Sequence, residues 1–130
     1  MSTKVFDDAT MFWDAEVAGT FTVATHVSAS IDLKAVDIDE LNPGEIILKW
    51  PGLNSGGAAT FILLIADSAD DSTFATVYTY PSKNLATAQA DFADFRDKLP
   101  SIGLRRYVRL SIAVGTAVVS AGALTAGLVK

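Results

Sequence analysis

The sequence predicts a mostly β chain: an antiparallel β-sandwich, of jelly-roll type, with one short helix. Three observations carry that expectation. In Arg105–Val114, Val108, Leu110, Ile112 and Val114 alternate with Tyr107, Arg109, Ser111 and Ala113. A period of two is that of a half-buried strand. Several further short apolar runs are separated by turn-forming residues, and only Leu85–Leu99 changes to helical spacing. Many short strands with turns between them fit a sandwich or jelly roll.

In chain order, Val5 to Thr20 mixes carboxylates with Phe6, Met11, Phe12, Trp13 and Val17 and has no clean period. We expect residues 1–19 to form an extended arm or short strand, tied to the chain's own core or packed on a neighbouring subunit. Thr20 to Leu33 alternates in places and predicts two short strands with a break near His26-Val27-Ser28. Asp37–Glu45 reads as a charged loop closing in Pro43-Gly44, and Ile46–Trp50 as a strand stopped by Pro51-Gly52. Leu53–Gly57 reads as a loop.

Thr60–Ala66 is a continuous apolar run of strand length, the pattern of a strand buried on both faces. Asp67–Thr73 is its turn, and Phe74–Tyr80 returns as a hairpin partner ended by Pro81. Leu85, Ala88, Phe92, Phe95 and Leu99 then recur at steps of three and four, predicting an amphipathic helix stopped by Pro100. Val118-Val119 and Ala123–Val129 complete the strands. With no repeat and no linker, residues 1–130 are expected to form one domain.

Composition narrows the function. Half of the residues are hydrophobic, so the chain should fold, and it has no cysteine for disulfides or thiolate metal sites. A net charge of −5 argues against a nucleic-acid binder, which needs a basic face. Leu110 to Val129 holds no charged residue, which is long enough for a membrane span. Its many Gly, Ala, Ser and Thr residues and its initial period of two fit strands better, so no membrane partner is expected.

Catalytic motifs are weak. His26 is the one histidine; Ser28 and Asp32 lie close to it in sequence, but no Gly-x-Ser-x-Gly turn is present. Asp67, Asp70, Asp71 and Thr73 do not follow the alternate spacing of a calcium loop. We expect no enzyme, no metal and no cofactor. Arg105, Arg106 and Arg109 are the basic cluster. On a strand, Arg105 and Arg109 share a face and Arg106 opens on the other. Guanidinium groups suit carboxylates and ring faces, so the cluster serves either intramolecular pairs or an acidic partner.

The segments Leu104-Arg105-Arg106-Tyr107-Val108-Arg109-Leu110, Gly115-Thr116 and Leu124-Thr125-Ala126-Gly127-Leu128-Val129 together resemble the capsid cement (decoration) proteins of certain tailed bacteriophages. The apolar strand leading into Asp67–Thr76 is similar too. Phe6–Ala9 and Ile31-Asp32-Leu33 fit more loosely, and Met11-Phe12-Trp13 and Leu85–Leu99 depart from the family's pattern. The resemblance implies a non-catalytic jelly roll on the outside of the virion capsid, assembled in the host cytoplasm. It would bridge neighbouring copies of the major capsid protein and pair with itself as a homodimer or homotrimer. Aromatic and Arg anchors dominate such contacts; here Phe12, Trp13, Trp50, Arg105 and Arg109 would be those anchors, unless the aromatics fill the chain's own core. The alternative is a carbohydrate-binding sandwich that stacks sugars on Trp13, Trp50, Tyr78 or Tyr80.

Overall fold

Two antiparallel sheets face each other in the computed structural model, which describes residues 10–17, 21–39, 43–99 and 104–129. The strands are β1 (Met11–Val17), β2 (Thr25–Val27), β3 (Ile31–Asp32), β4 (Glu45–Lys49), β5 (Asn54–Ser55) and β6 (Thr60–Ser68). They continue as β7 (Ala75–Thr79), β8 (Lys83–Asn84), β9 (Phe95–Lys98), β10 (Tyr107–Gly115), β11 (Val119–Ala121) and β12 (Ala123–Val129). One helix, α1 (Leu85–Asp91), lies between β8 and β9.

The first sheet runs β1-β12-β4-β9 and the second β2-β10-β6-β7. Along the second sheet β3 continues β2 beside β10, and β8 continues β7 beside β6. Counting each continued pair as one bent strand, successive strands hop between the sheets, except at the β6–β7 hairpin, in the order of a jelly roll. This is the predicted sandwich. A small ribbon of β5 and β11 closes one end.

β10 sits where its alternation requires. Val108, Leu110 and Ile112 are fully buried and Val114 nearly so, facing Phe61, Leu63 and Ile65 of β6 in the core. From the first sheet Ile46, Leu48, Leu124, Ala126 and Leu128 fill the same space. Burying a side chain of this size stabilises by about 1.5–3 kcal/mol, so these strands anchor the fold. The uncharged run Leu110–Val129 becomes the end of β10, β11 and β12. No helix among the described residues is long and apolar enough to cross a membrane.

Four expectations need correction. The helix is shorter than Leu85–Leu99. Asn84 caps it by accepting from the Thr87 N–H at 2.8 Å, and it stops after Asp91. Phe92 then accepts from the Trp50 N–H at 2.7 Å, and residues 95–98 pair with β4 as an edge strand. The run Thr60–Ala66 is not buried on both faces: Ile62 and Leu64 are half-buried. The strand also extends through Ser68, so Asp67 belongs to β6 rather than to the turn. The break between β2 and β3 falls at residues 28–30, where Ser28 exchanges hydrogen bonds with Leu110 through its N–H and its hydroxyl.

Residues 11–17 of the expected arm form β1, paired with β12 of the same chain. Residues 1–9 and 18–20, part of the charged loop (40–42) and Pro100 lie outside the described residues.

Candidate interaction surface

The five predicted anchors separate into two groups. Phe12, Trp13 and Trp50 are core residues, exposed by 3%, 6% and 1%. Trp13 meets Phe21 edge-on at 6.1 Å, and Phe21 lies 4.9 Å from Trp50. Trp50 stacks with Phe92 at 6.2 Å. Their energy is spent on the sandwich itself, and they present no ring to a partner. Tyr80 is buried as well, against Phe95 and Tyr78, and donates its hydroxyl to Asp97. Burial and the Asp97 carboxylate both push that phenol upward. Of the four aromatics considered for sugar stacking, Tyr78 alone is exposed.

Arg105 and Arg106 hold the chain together. Arg105 donates from Nε (3.0 Å) and Nη2 (2.8 Å) to Asp67 Oδ1, and from its backbone N–H (2.9 Å) to Oδ2. Burial alone would raise the Asp67 carboxyl; the hydrogen bonds from Arg105 outweigh it and hold it below the ordinary value. Arg106 forms a fork with Asp32, Nε to Oδ1 at 2.9 Å and Nη2 to Oδ2 at 2.8 Å. That contact brings Asp32 down to about 2. These two charge-assisted pairs fix the strand ends. Arg109 differs. Its guanidinium carbon sits 4.0 Å from the Phe74 ring centre, and its buried Nε has no hydrogen-bond partner.

His26, Ser28 and Asp32 do not form a relay. His26 Nε2 is 2.8 Å from the Thr22 carbonyl, and its ring packs on Phe21. The Ser28 hydroxyl donates to the Ala29 carbonyl, and Asp32 serves Arg106. In the acidic turn, Asp70 Oδ1 accepts from the Thr73 and Ser72 N–H groups and from the Ser68 hydroxyl. These bonds lower Asp70 to about 2 and make the turn self-contained.

Charge is divided unevenly along the sandwich. At the end where β10 begins lie Asp32, Lys34, Asp67, Asp70, Asp71, Arg105 and Arg106. At the other end, where Gly115 pairs with Thr60, three loops meet: residues 21–25, 51–59 and 115–122. The Val114 N–H bonds Ala24 at 2.9 Å and the Val119 N–H bonds Phe21 at 3.1 Å, tying the first loop to the third. A Cβ on Gly57 would stand 3.4 Å from Ala117, tying the second to the third. None of the three loops contains a charged residue. Val23 and Val118 project there, 52% and 49% exposed.

The two sheets also differ on their outer faces. On the first, Lys49, Glu45, Arg96 and Lys98 stand among the apolar residues, and Arg96 pairs with Glu45 at 3.7 Å. This is an ordinary solvated face. On the second, register aligns Val27, Ser111, Leu64 and Thr79 in one row and Thr25, Ala113 and Ile62 in the next. The row beyond holds Arg109, Ala66 and Thr76, so Arg109 is the one charge in the three rows.

Sequence reasoning passed over Val23, Val118, Ile62 and Leu64. The available signal was the lack of charge in Trp50–Ala66 as well as in Leu110–Val129. Neither protein-family models nor curated proteins match this chain.

Proposed function

We propose that this chain is a structural virion protein that binds the outer surface of an assembled phage capsid and cements neighbouring major capsid protein subunits. The observation that carries the proposal is the meeting of three uncharged loops, residues 21–25, 51–59 and 115–122, with Val23 and Val118 exposed on them. An acidic protein meets a protein shell at least cost through a surface that strips no ion of its water. The opposite end, with its Arg–Asp pairs, stays hydrated. The resemblance of the β10 and β12 segments to cement proteins points the same way.

A cement protein binds the assembled lattice better than the free subunit and so stabilises the lattice by mass action. Bridging several subunits adds affinity without stronger single contacts. Val118→Asp tests the surface directly. It places a charge at an exposed loop position and should reduce binding to expanded shells at least tenfold with no loss of folding. Undiminished binding by Val118→Asp together with Val23→Asp would remove the uncharged loops from the account.

A further inference from the structure

We propose that β7 is an open sheet edge to which an extended segment of another protein adds as a further antiparallel strand, carrying an arginine over the seam between β7 and β9. The inference goes beyond shell binding and does not depend on it. Unpaired backbone at the margin of a sheet invites another chain unless something blunts it. Three of the four margins here are blunted. β1 carries Asp14 and Glu16 and has two register shifts. β9 carries Arg96, Asp97 and Lys98. β2 and β3 are three and two residues long, with a break between them. β7 is different. Ala75, Thr76, Val77, Tyr78 and Thr79 are all exposed, and no charge occurs from Ser72 to Ser82. Its β-branched and aromatic residues suit a pleated surface. One register shift leaves Val77 unpaired, while Tyr78 and Thr79 stay in regular register with β6.

Backbone and charge together define the occupant. Tyr80 donates its backbone N–H to the Leu63 carbonyl at 2.9 Å. Groups facing a neighbour alternate along an antiparallel strand, so Thr79 turns its N–H and its carbonyl away from β6. A residue of an added strand opposite Thr79 takes both bonds, with its side chain on the outer face beside that of Thr79. The residues before and after it point to the other face, over the seam. There Tyr78 is 46% exposed and packs edge-on against Tyr80 at 4.6 Å. Asp97 lies across the seam on β9. Its register partner is the core residue Ile46, so it faces inward, whereas Arg96 and Lys98 face outward. The Asp97 carboxylate accepts from the Tyr80 hydroxyl and the Lys98 N–H, and no cation pairs with it among the described residues. A carboxylate keeps acceptor sites beyond two such bonds. A guanidinium lies flat on a ring and forks onto a carboxylate, so an arginine fits Tyr78 and Asp97 together. A second copy's β7 brings no cation to the seam.

The probe is a fluorescein-labelled heptapeptide of alternating threonine and valine with arginine at its centre, titrated with the full chain and read by anisotropy. It should bind saturably, and the same peptide with glutamate at its centre should bind about tenfold or more weakly. Asp97→Asn, verified as folded by circular dichroism, should remove that preference. Backbone pairing is tested on the peptide, with the protein unaltered. A strand faces one neighbour with alternate amides. N-methylation of the two residues flanking the arginine should therefore abolish binding, and N-methylation of the arginine itself should preserve it. Absence of saturable binding, equal affinity for the arginine and glutamate peptides, or equal effects of the two methylations would overturn the inference. A dimer of this chain that the arginine peptide dissociates in sedimentation velocity would assign the edge to a second copy and overturn it too. Because no shell enters the measurement, its result is independent of shell binding.

Discussion

Arg105 and Asp67 clasp the two central strands of the second sheet at their charged end. Asp67 sits at the end of β6 with its side chain 3% exposed and takes three hydrogen bonds from Arg105, which lies just before β10. Removing Arg105 leaves a buried carboxylate with little compensation. Arg105→Ala should cost about 2–3 kcal/mol, read as a shift in the urea midpoint at constant slope. Arg106→Ala acts on the more exposed fork with Asp32, which water screens, and should cost clearly less. Equal losses for the two variants would contradict this ranking.

Acid should weaken the fold in a defined window. Asp67, Asp32 and Asp70 all have carboxyls held below their ordinary value of 3.8, Asp32 and Asp70 at about 2. A group with a depressed folded pKa contributes stability above its unfolded pKa and loses it as pH falls through the folded one. Stability should therefore be flat from neutral pH to just above the ordinary carboxylate range and fall as pH drops toward about 2. Asp67→Asn should flatten that slope. Chemical denaturation at a series of pH values measures it; an unchanged slope would remove Asp67 from the account.

Gly122 links β11 to β12 at φ +110°, and a Cβ there would come within 2.9 Å of the Leu53 backbone and 3.0 Å of Trp50. Any side chain meets both a disfavoured conformation and fixed backbone. Gly122→Ala should lose about 2 kcal/mol or more and lower the melting temperature. Gly56→Ala, with open space around its added Cβ, provides the contrast and should melt near the parent.

Trp13 and Trp50 should report a core. Both should emit at the short wavelengths of apolar surroundings and resist quenching by iodide, since they are 6% and 1% exposed. Trp50→Ala should cost about 3–5 kcal/mol, as loss of packing among Phe21, Phe61 and Phe92. Quenchable tryptophans, with a shift on adding sugars, would instead favour the carbohydrate-binding alternative.

Much of this fold was legible because strand alternation is local. β10, β12, β4 and the β6–β7 hairpin follow from the period of their apolar residues. The stretch Leu85–Leu99 was not, because Phe92, Phe95 and Leu99 are spaced as a helix would space them yet serve a cap, an edge strand and the core. The tertiary bonds from Trp50 to the Phe92 carbonyl and from β4 to residues 95–98 separate these outcomes. The role of the arginines was half legible. Their chemistry suggested carboxylates and rings, but Asp67 is 38 residues from Arg105 and Asp32 is 74 from Arg106. The aromatic anchors illustrate the same limit. Nothing in Phe12, Trp13 or Trp50 as residues distinguishes a core ring from an interface ring. The three uncharged loops are distant in sequence, and their meeting becomes visible only when the β6–β10 register brings them together.

Co-sedimentation of the purified chain with the unexpanded and the expanded forms of the proposed phage shell tests the proposed function most directly. The account predicts a fixed number of copies per expanded shell, little binding to the unexpanded one, and retention at high salt because the contact is uncharged. Absence of binding to either form would contradict a cement role.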